Sequence, residues 1–116
     1  MKRQSLLASL AQAGKGVMSC LQRERNLKIH FLFAFLSCLL AWYVQLSKQE
    51  WLLLILTIAG VIVSEMVNTA IEVMVDLISP EYHPLAKQAK DIAAGAVLFM
   101  ALVSLIVGYI LFVEKF

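Results

Sequence analysis

Residues 64–79 read SEMVNTAIEVMVDLIS, and the fold turns on how that stretch is understood. At about 100° per residue, Glu65, Asn68, Thr69, Glu72 and Asp76 fall within an arc of roughly 100°, one face of a helix. Met66, Val67, Ala70, Ile71, Val73, Met74, Val75 and Leu77 form a greasy opposite face. The stretch closes a run of about 14 uncharged residues that begins at Trp51. Acids at the end of such a run need a physical reason. Near a bilayer centre each charged side chain costs roughly 2.5–3.5 kcal/mol on insertion scales.

Composition makes the bilayer the first conclusion. The 116 residues are 61% hydrophobic, against about 45–50% in ordinary soluble domains, and the mean hydropathy is +0.82. A single domain of this length has too little interior to hide that much apolar surface. The net charge of +2 is unevenly spread. Lys2, Arg3, Lys15, Arg23, Arg25 and Lys28 precede the first long apolar run, with Glu24 the lone acid among them. Such a basic N-terminal third marks the cytoplasmic face of a membrane protein rather than a nucleic-acid surface. Cys20 and Cys38 lie far apart with neither metal nor disulfide spacing, and read as packing residues.

From that face the chain reads as four helical segments. Residues 4–23 form an amphipathic surface helix, with Leu6, Leu7, Leu10, Ala13, Val17, Met18 and Leu21 on one side. Its opening, MKRQSLLASLAQA, imitates a signal peptide, but the apolar core is short and broken by Ser9, so an uncleaved N-terminus is expected. Gly14-Lys15-Gly16 lacks the spacing of a phosphate-binding loop. Residues 29–46, 51–78 and 92–113 are the expected membrane spans. Trp42, Tyr43 and Trp51 make an aromatic belt at the outer surface. Pro80 ends the second helix, and EYHPLAKQAK, residues 81–90, is a polar inner loop turning into a third helix. Small residues from Ala86 to Ala96 open the third span and permit close helix contact.

Three readings of the acidic face compete. In a structural one, Asn68 and Thr69 bond across helices while the acids pair with bases elsewhere; such bonds average only about 0.6 kcal/mol. In a second, Glu65 is the cation or proton site of a small proton-coupled transporter, although no broken helix or inverted repeat accompanies it. In a third, the face does metal-assisted phosphoryl chemistry. Carboxylates at i and i+7 stand about 10 Å apart along a helix. One can then reach a buried lipid hydroxyl while the other meets a nucleotide-bound Mg²⁺. Spacing alone leaves transport and catalysis even. For Glu24, spacing alone favours an ordinary helical ion pair with Lys28 at i+4.

The run Glu65-x-x-Asn68-Thr69-Ala70-Ile71-Glu72-x-x-x-Asp76 resembles the signature of the bacterial diacylglycerol kinase family. So do Glu81-Tyr82-His83, Ala89-Lys90-Asp91 and the small-residue start of the third span. The resemblance covers nearly the whole chain. It implies an all-α homotrimer of three-span subunits, each with a surface helix, whose shared cytoplasmic sites pass the ATP γ-phosphoryl group to a lipid alcohol. On matching positions, Glu65 would be the base and Asn68 would order the site. Glu24 and Glu72 would hold Mg²⁺, which displaces the ion-pair reading of Glu24. Glu81, Tyr82, His83, Lys90 and Asp91 would contact ATP. Glu24-Arg25-Asn26, His30 and Ser79-Pro80 look like the Gram-positive branch, whose acceptor is undecaprenol rather than diacylglycerol. The N-terminal helix departs from the pattern: Ser5 and Gln12 stand where enterobacterial members carry basic and aromatic nucleotide contacts, leaving Arg3 or Lys15 as substitutes.

Overall fold

A computed structural model describes residues 5–116. The described chain is helical nearly throughout: α1 is Leu6–Arg23, α2 Arg25–Tyr43, α3 Lys48–Ile78 and α4 Pro84–Phe112, followed by a 3₁₀ turn at Val113–Lys115. No strand occurs among the described residues. Three of the helices, α2, α3 and α4 with its terminal turn, are long and apolar enough to cross a membrane.

Each helix begins and ends for an identifiable reason. Ser5 caps α1, its Oγ accepting from the Ala8 N–H at 3.1 Å. Lys2, Arg3 and Gln4, and with them the expected helix start and the proposed substitute contact at Arg3, lie outside the described residues. Glu24 then leaves the helical backbone (φ −107°, ψ 114°), although its N–H still reaches the Cys20 carbonyl at 2.8 Å. That single extended residue separates α1 from α2. It also dissolves the expected i, i+4 pair with Lys28, which needs helical backbone at both positions. The Glu24 carboxylate instead stands 3.8 Å from Arg23 Nε.

The first span was expected to run to Leu46, but α2 ends at Tyr43. Gln45 adopts a left-handed conformation, φ 56°. Its N–H bonds the Trp42 carbonyl at 3.3 Å, and the Leu46 N–H bonds the Ala41 carbonyl at 3.1 Å. This is a Schellman closure with glutamine in the position that glycine usually fills. Leu46 folds back and is buried with Ala41, Leu54 and Leu111, a small core that pins the ends of all three long helices. A capping box follows at once. Ser47 Oγ accepts from the Glu50 N–H at 3.2 Å, and the Ser47 N–H donates to Glu50 Oε1 at 3.0 Å.

α3 and α4 form an antiparallel hairpin fastened at three heights. Lys115 Nζ meets Glu50 at 3.1 Å at the aromatic end, and Lys90 Nζ meets Asp76 at 2.6 Å at the charged end. Between them α3 approaches α4 at Gly60, where an added Cβ would stand 2.5 Å from Met100 Cε. His30 on α2 reaches Glu65 on α3, so α2 runs antiparallel to α3 as well. The 31 residues of α3 rise about 46 Å, well beyond a hydrocarbon core of about 30 Å. Counted from Trp51, Glu65 lies about 21 Å along the helix and Glu72 about 31 Å. One acid is therefore inside the apolar layer and the other at its edge.

Two stability outcomes follow from this packing. Gln45→Gly removes the left-handed strain of a side chain at that turn and is expected to stabilise the protein by about 0.5–1 kcal/mol, read by thermal unfolding in detergent. Gly60→Ala is expected to stay within about 1 kcal/mol because the flexible end of Met100 can turn aside. Gly60→Leu is expected to lose about 1–3 kcal/mol in the same assay, since the helix backbones would have to part.

Candidate active site

Burial falls along the acidic face from Glu65 and Thr69 to the exposed Asp76. Leu54, Thr57, Val61, Glu65 and Thr69 recur every three or four residues and form the buried stripe of α3. Glu65 is thus placed where an apolar side chain would ordinarily sit, and only 4% of it is exposed. Asn68 and Glu72 are half-buried, and Asp76 is exposed. All five polar residues share one helix face at graded depths.

At the deepest level, His30 Nε2 lies 3.1 Å from Glu65 Oε1, with side-chain exposures of 27% and 6%. No local spacing ties residue 30 to residue 65, so this contact is not legible in the sequence. His30 also lines an apolar cleft of about 400 Å³ between α2, α3 and α4, beside Phe33, Thr57, Val61 and Ser104. One turn nearer the charged end, Asn68 Nδ2 donates to Glu72 Oε1 at 3.2 Å. The Asn68 Oδ1 atom is buried and has no hydrogen-bond partner among the described residues. Thr69 Oγ1 donates to the Glu65 backbone carbonyl at 3.0 Å. The cross-helix bonds expected of Asn68 and Thr69 in the structural reading are therefore not made. Both side chains bond within α3, where i−4 carbonyls and i+4 side chains are nearest.

At the charged end the expected nucleotide residues divide. Lys90 Nζ is held by Asp76 at 2.6 Å, and Lys87 Nζ by Asp91 at 2.6 Å. Tyr82 and Asp91 line a cleft of about 460 Å³ with Pro84, Lys87, Gln88 and Ile92, and Tyr82 is 79% exposed. His83 has a structural use that its motif did not announce. It is the N-cap of α4, its Nδ1 accepting from the Leu85 N–H at 3.1 Å, with Pro84 opening the helix behind it. An Nδ1 that accepts leaves Nε2 to carry the ring N–H. Glu81 is exposed, its backbone carbonyl taken by Ser79 Oγ at 2.8 Å.

Glu24 is half-buried and its side chain does not cap α2. Among the described residues no three His, Cys, Asp or Glu side chains converge as a metal cluster. Two carboxylates with phosphate oxygens and water are nevertheless a sufficient set for a hard cation of the Mg²⁺ type.

The chain is similar to proteins of known activity. The chain is 43% identical to the undecaprenol kinase of Bacillus subtilis (strain 168) over 107 residues, 92% of this chain and 87% of the relative. It is 40% identical to the diacylglycerol kinase of Synechocystis sp. over 105 residues, 90% of this chain and 60% of that relative. Against the diacylglycerol kinase of Escherichia coli (strain K12) it is 29% identical over 111 residues, 96% of this chain and 91% of that relative. The profile of the prokaryotic diacylglycerol kinases matches residues 11–112, taking in Glu24, His30, the whole acidic face and the loop beyond it. The chain belongs to the prokaryotic diacylglycerol kinase family.

Proposed function

We propose that this membrane lipid kinase transfers the γ-phosphoryl group of ATP to undecaprenol at the cytoplasmic face of a bacterial membrane. The substrate is that of the relative matched at 43% identity, an undecaprenol kinase; the diacylglycerol kinases of Synechocystis sp. and Escherichia coli match at 40% and 29%. The observation that carries the mechanism is the difference in depth between Glu65 and the Asn68–Glu72 pair on one helix face. A lipid hydroxyl and a nucleotide come from different phases, and a site joining them needs one polar group in each.

In this reading Glu65 is the general base. The lipid O–H donates to the free carboxylate oxygen, and its proton passes to Glu65 as the new O–P bond forms and the bond to ADP breaks. The apolar cleft beside His30 suits the hydrocarbon chain of such an acceptor. Asn68 keeps Glu72 oriented. Glu24 and Glu72 would hold Mg²⁺, which when bound neutralises charge on the phosphates. Both carboxylates fit that duty: neither is consumed by a helix cap or a short ion pair. Glu81, Tyr82, His83, Lys90 and Asp91 would contact the nucleotide, with Lys90 exchanging Asp76 for phosphate. Lys15 is exposed on α1 and remains a further basic contact.

The reading includes a homotrimer with α1 lying in the headgroup layer. Leu6, Leu7, Leu10 and Met18 are exposed along α1, and α2 and α4 present many bare apolar side chains. Such surfaces suit lipid or neighbouring copies.

With labelled γ-phosphate and Mg-ATP, the purified protein is expected to phosphorylate undecaprenol better than diacylglycerol. Equal or reversed preference overturns the substrate, and transfer to neither overturns the kinase. Glu65→Gln is expected to lose about 10²–10⁴-fold in turnover with the oligomer unchanged on size exclusion. Glu72→Gln is expected to raise the Mg²⁺ concentration needed for half-maximal rate or to abolish activity. Unaltered metal dependence removes Glu72 from the ligand set.

A further inference from the structure

Glu65 is nine-tenths or more buried, and its carboxylate has one hydrogen-bond partner among the described side chains, His30. That partner comes from α2, thirty-five positions away, and lies at the wall of the apolar cleft. The hydroxyls of Ser64 and Thr69 donate to the Val61 and Glu65 backbone carbonyls and so do not compete. An ionised carboxylate only accepts, so with Glu65 charged the proton must reside on His30 Nε2. The bond then occupies Oε1 and leaves Oε2 as the one oxygen open to a hydroxyl. A carboxylate with two free oxygens could turn about its terminal torsion, which is broad and roughly two-fold; the imidazole removes that freedom.

We propose that His30 is the positioning residue of Glu65. It fixes the carboxylate plane so that Oε2 faces the lipid alcohol, and it keeps the base hydrogen-bonded where no water is at hand. This rests on the proposed role of Glu65 as base. His30 need not touch the lipid or change its own protonation for the effect to operate.

The geometry makes a discriminating set of substitutions available. The amide nitrogen of glutamine lies the same number of bonds from the backbone as Nε2, whereas that of asparagine matches Nδ1 and falls short of Glu65. Wild type, Glu65→Gln, His30→Ala, His30→Asn and His30→Gln should be compared in one assay of phosphoryl transfer to undecaprenol, with oligomer and melting temperature measured for each. His30→Ala and His30→Asn are expected to lose on the order of 10–100-fold in kcat, the worth of a hydrogen bond to a charged group, with KM for the lipid and for ATP within about threefold of wild type. His30→Gln is expected to recover most of the loss. Equal activity of the asparagine and glutamine variants at equal stability overturns the proposal, as does a loss confined to KM. Activity that follows melting temperature across the set reduces His30 to packing and overturns it too. If Glu65→Gln is itself active, the base assignment fails first. If Glu65→Gln is inactive while His30→Ala matches wild type, the positioning role alone is wrong.

Discussion

Inside hydrocarbon a carboxylate has no water to turn to, and the charged half of α3 is arranged around that constraint. The remedies differ with depth. Thr57, Ser64, Thr69 and Ser104 turn their hydroxyls back on carbonyls of their own helices, which satisfies them without help from a neighbour. Glu65 has no such local remedy and takes a donor from α2. Asn68 and Glu72 satisfy each other in part, leaving one amide oxygen over. Asp76, at the exposed end, meets Lys90 across the hairpin. An exposed pair of that kind contributes little to stability, about 0–1 kcal/mol. Among the described residues, Asn68 Oδ1 is the one fully buried side-chain polar atom without a hydrogen-bond partner.

Much of this was legible in the sequence because it is local. The periodicity of residues 64–79 is enough to put the acids on one face, and the uncharged run before them is enough to set their depth. Capping signals were present too: Ser47 with Glu50 three positions on is a capping-box pattern that the sequence carries openly, although only the structure gives it its place. What could not be read was whatever joins distant positions or breaks a local preference. Gln45 in a left-handed turn carries no glycine to announce it, so α2 stops three residues before its apolar run does. The meeting of His30 with Glu65 depends on how α2 packs against α3. The capping role of His83 was hidden behind its motif.

Glu24 shows how a local rule can mislead. Its spacing to Lys28 fits an ion pair on a helix, yet the residue is the non-helical joint between α1 and α2. Its carboxylate is thereby freed from the helix surface. The family match spans this joint, and membership of a kinase family also separates the phosphoryl-transfer reading of the acidic face from the transport reading that spacing left equally open.

The length of α3 has a consequence for the lipid around it. A helix of 31 residues that carries one acid within the apolar layer and another at its rim is a depth gauge. A thicker bilayer would draw Glu72 and its ion-binding neighbourhood into hydrocarbon, and a thinner one would wet Glu65. Mismatch between a span and its membrane is relieved by tilt or local lipid deformation at fractions of a kcal/mol per ångström. Here any tilt would also change the angle at which α3 meets the surface. A change in bilayer thickness would therefore change the phase in which each carboxylate sits.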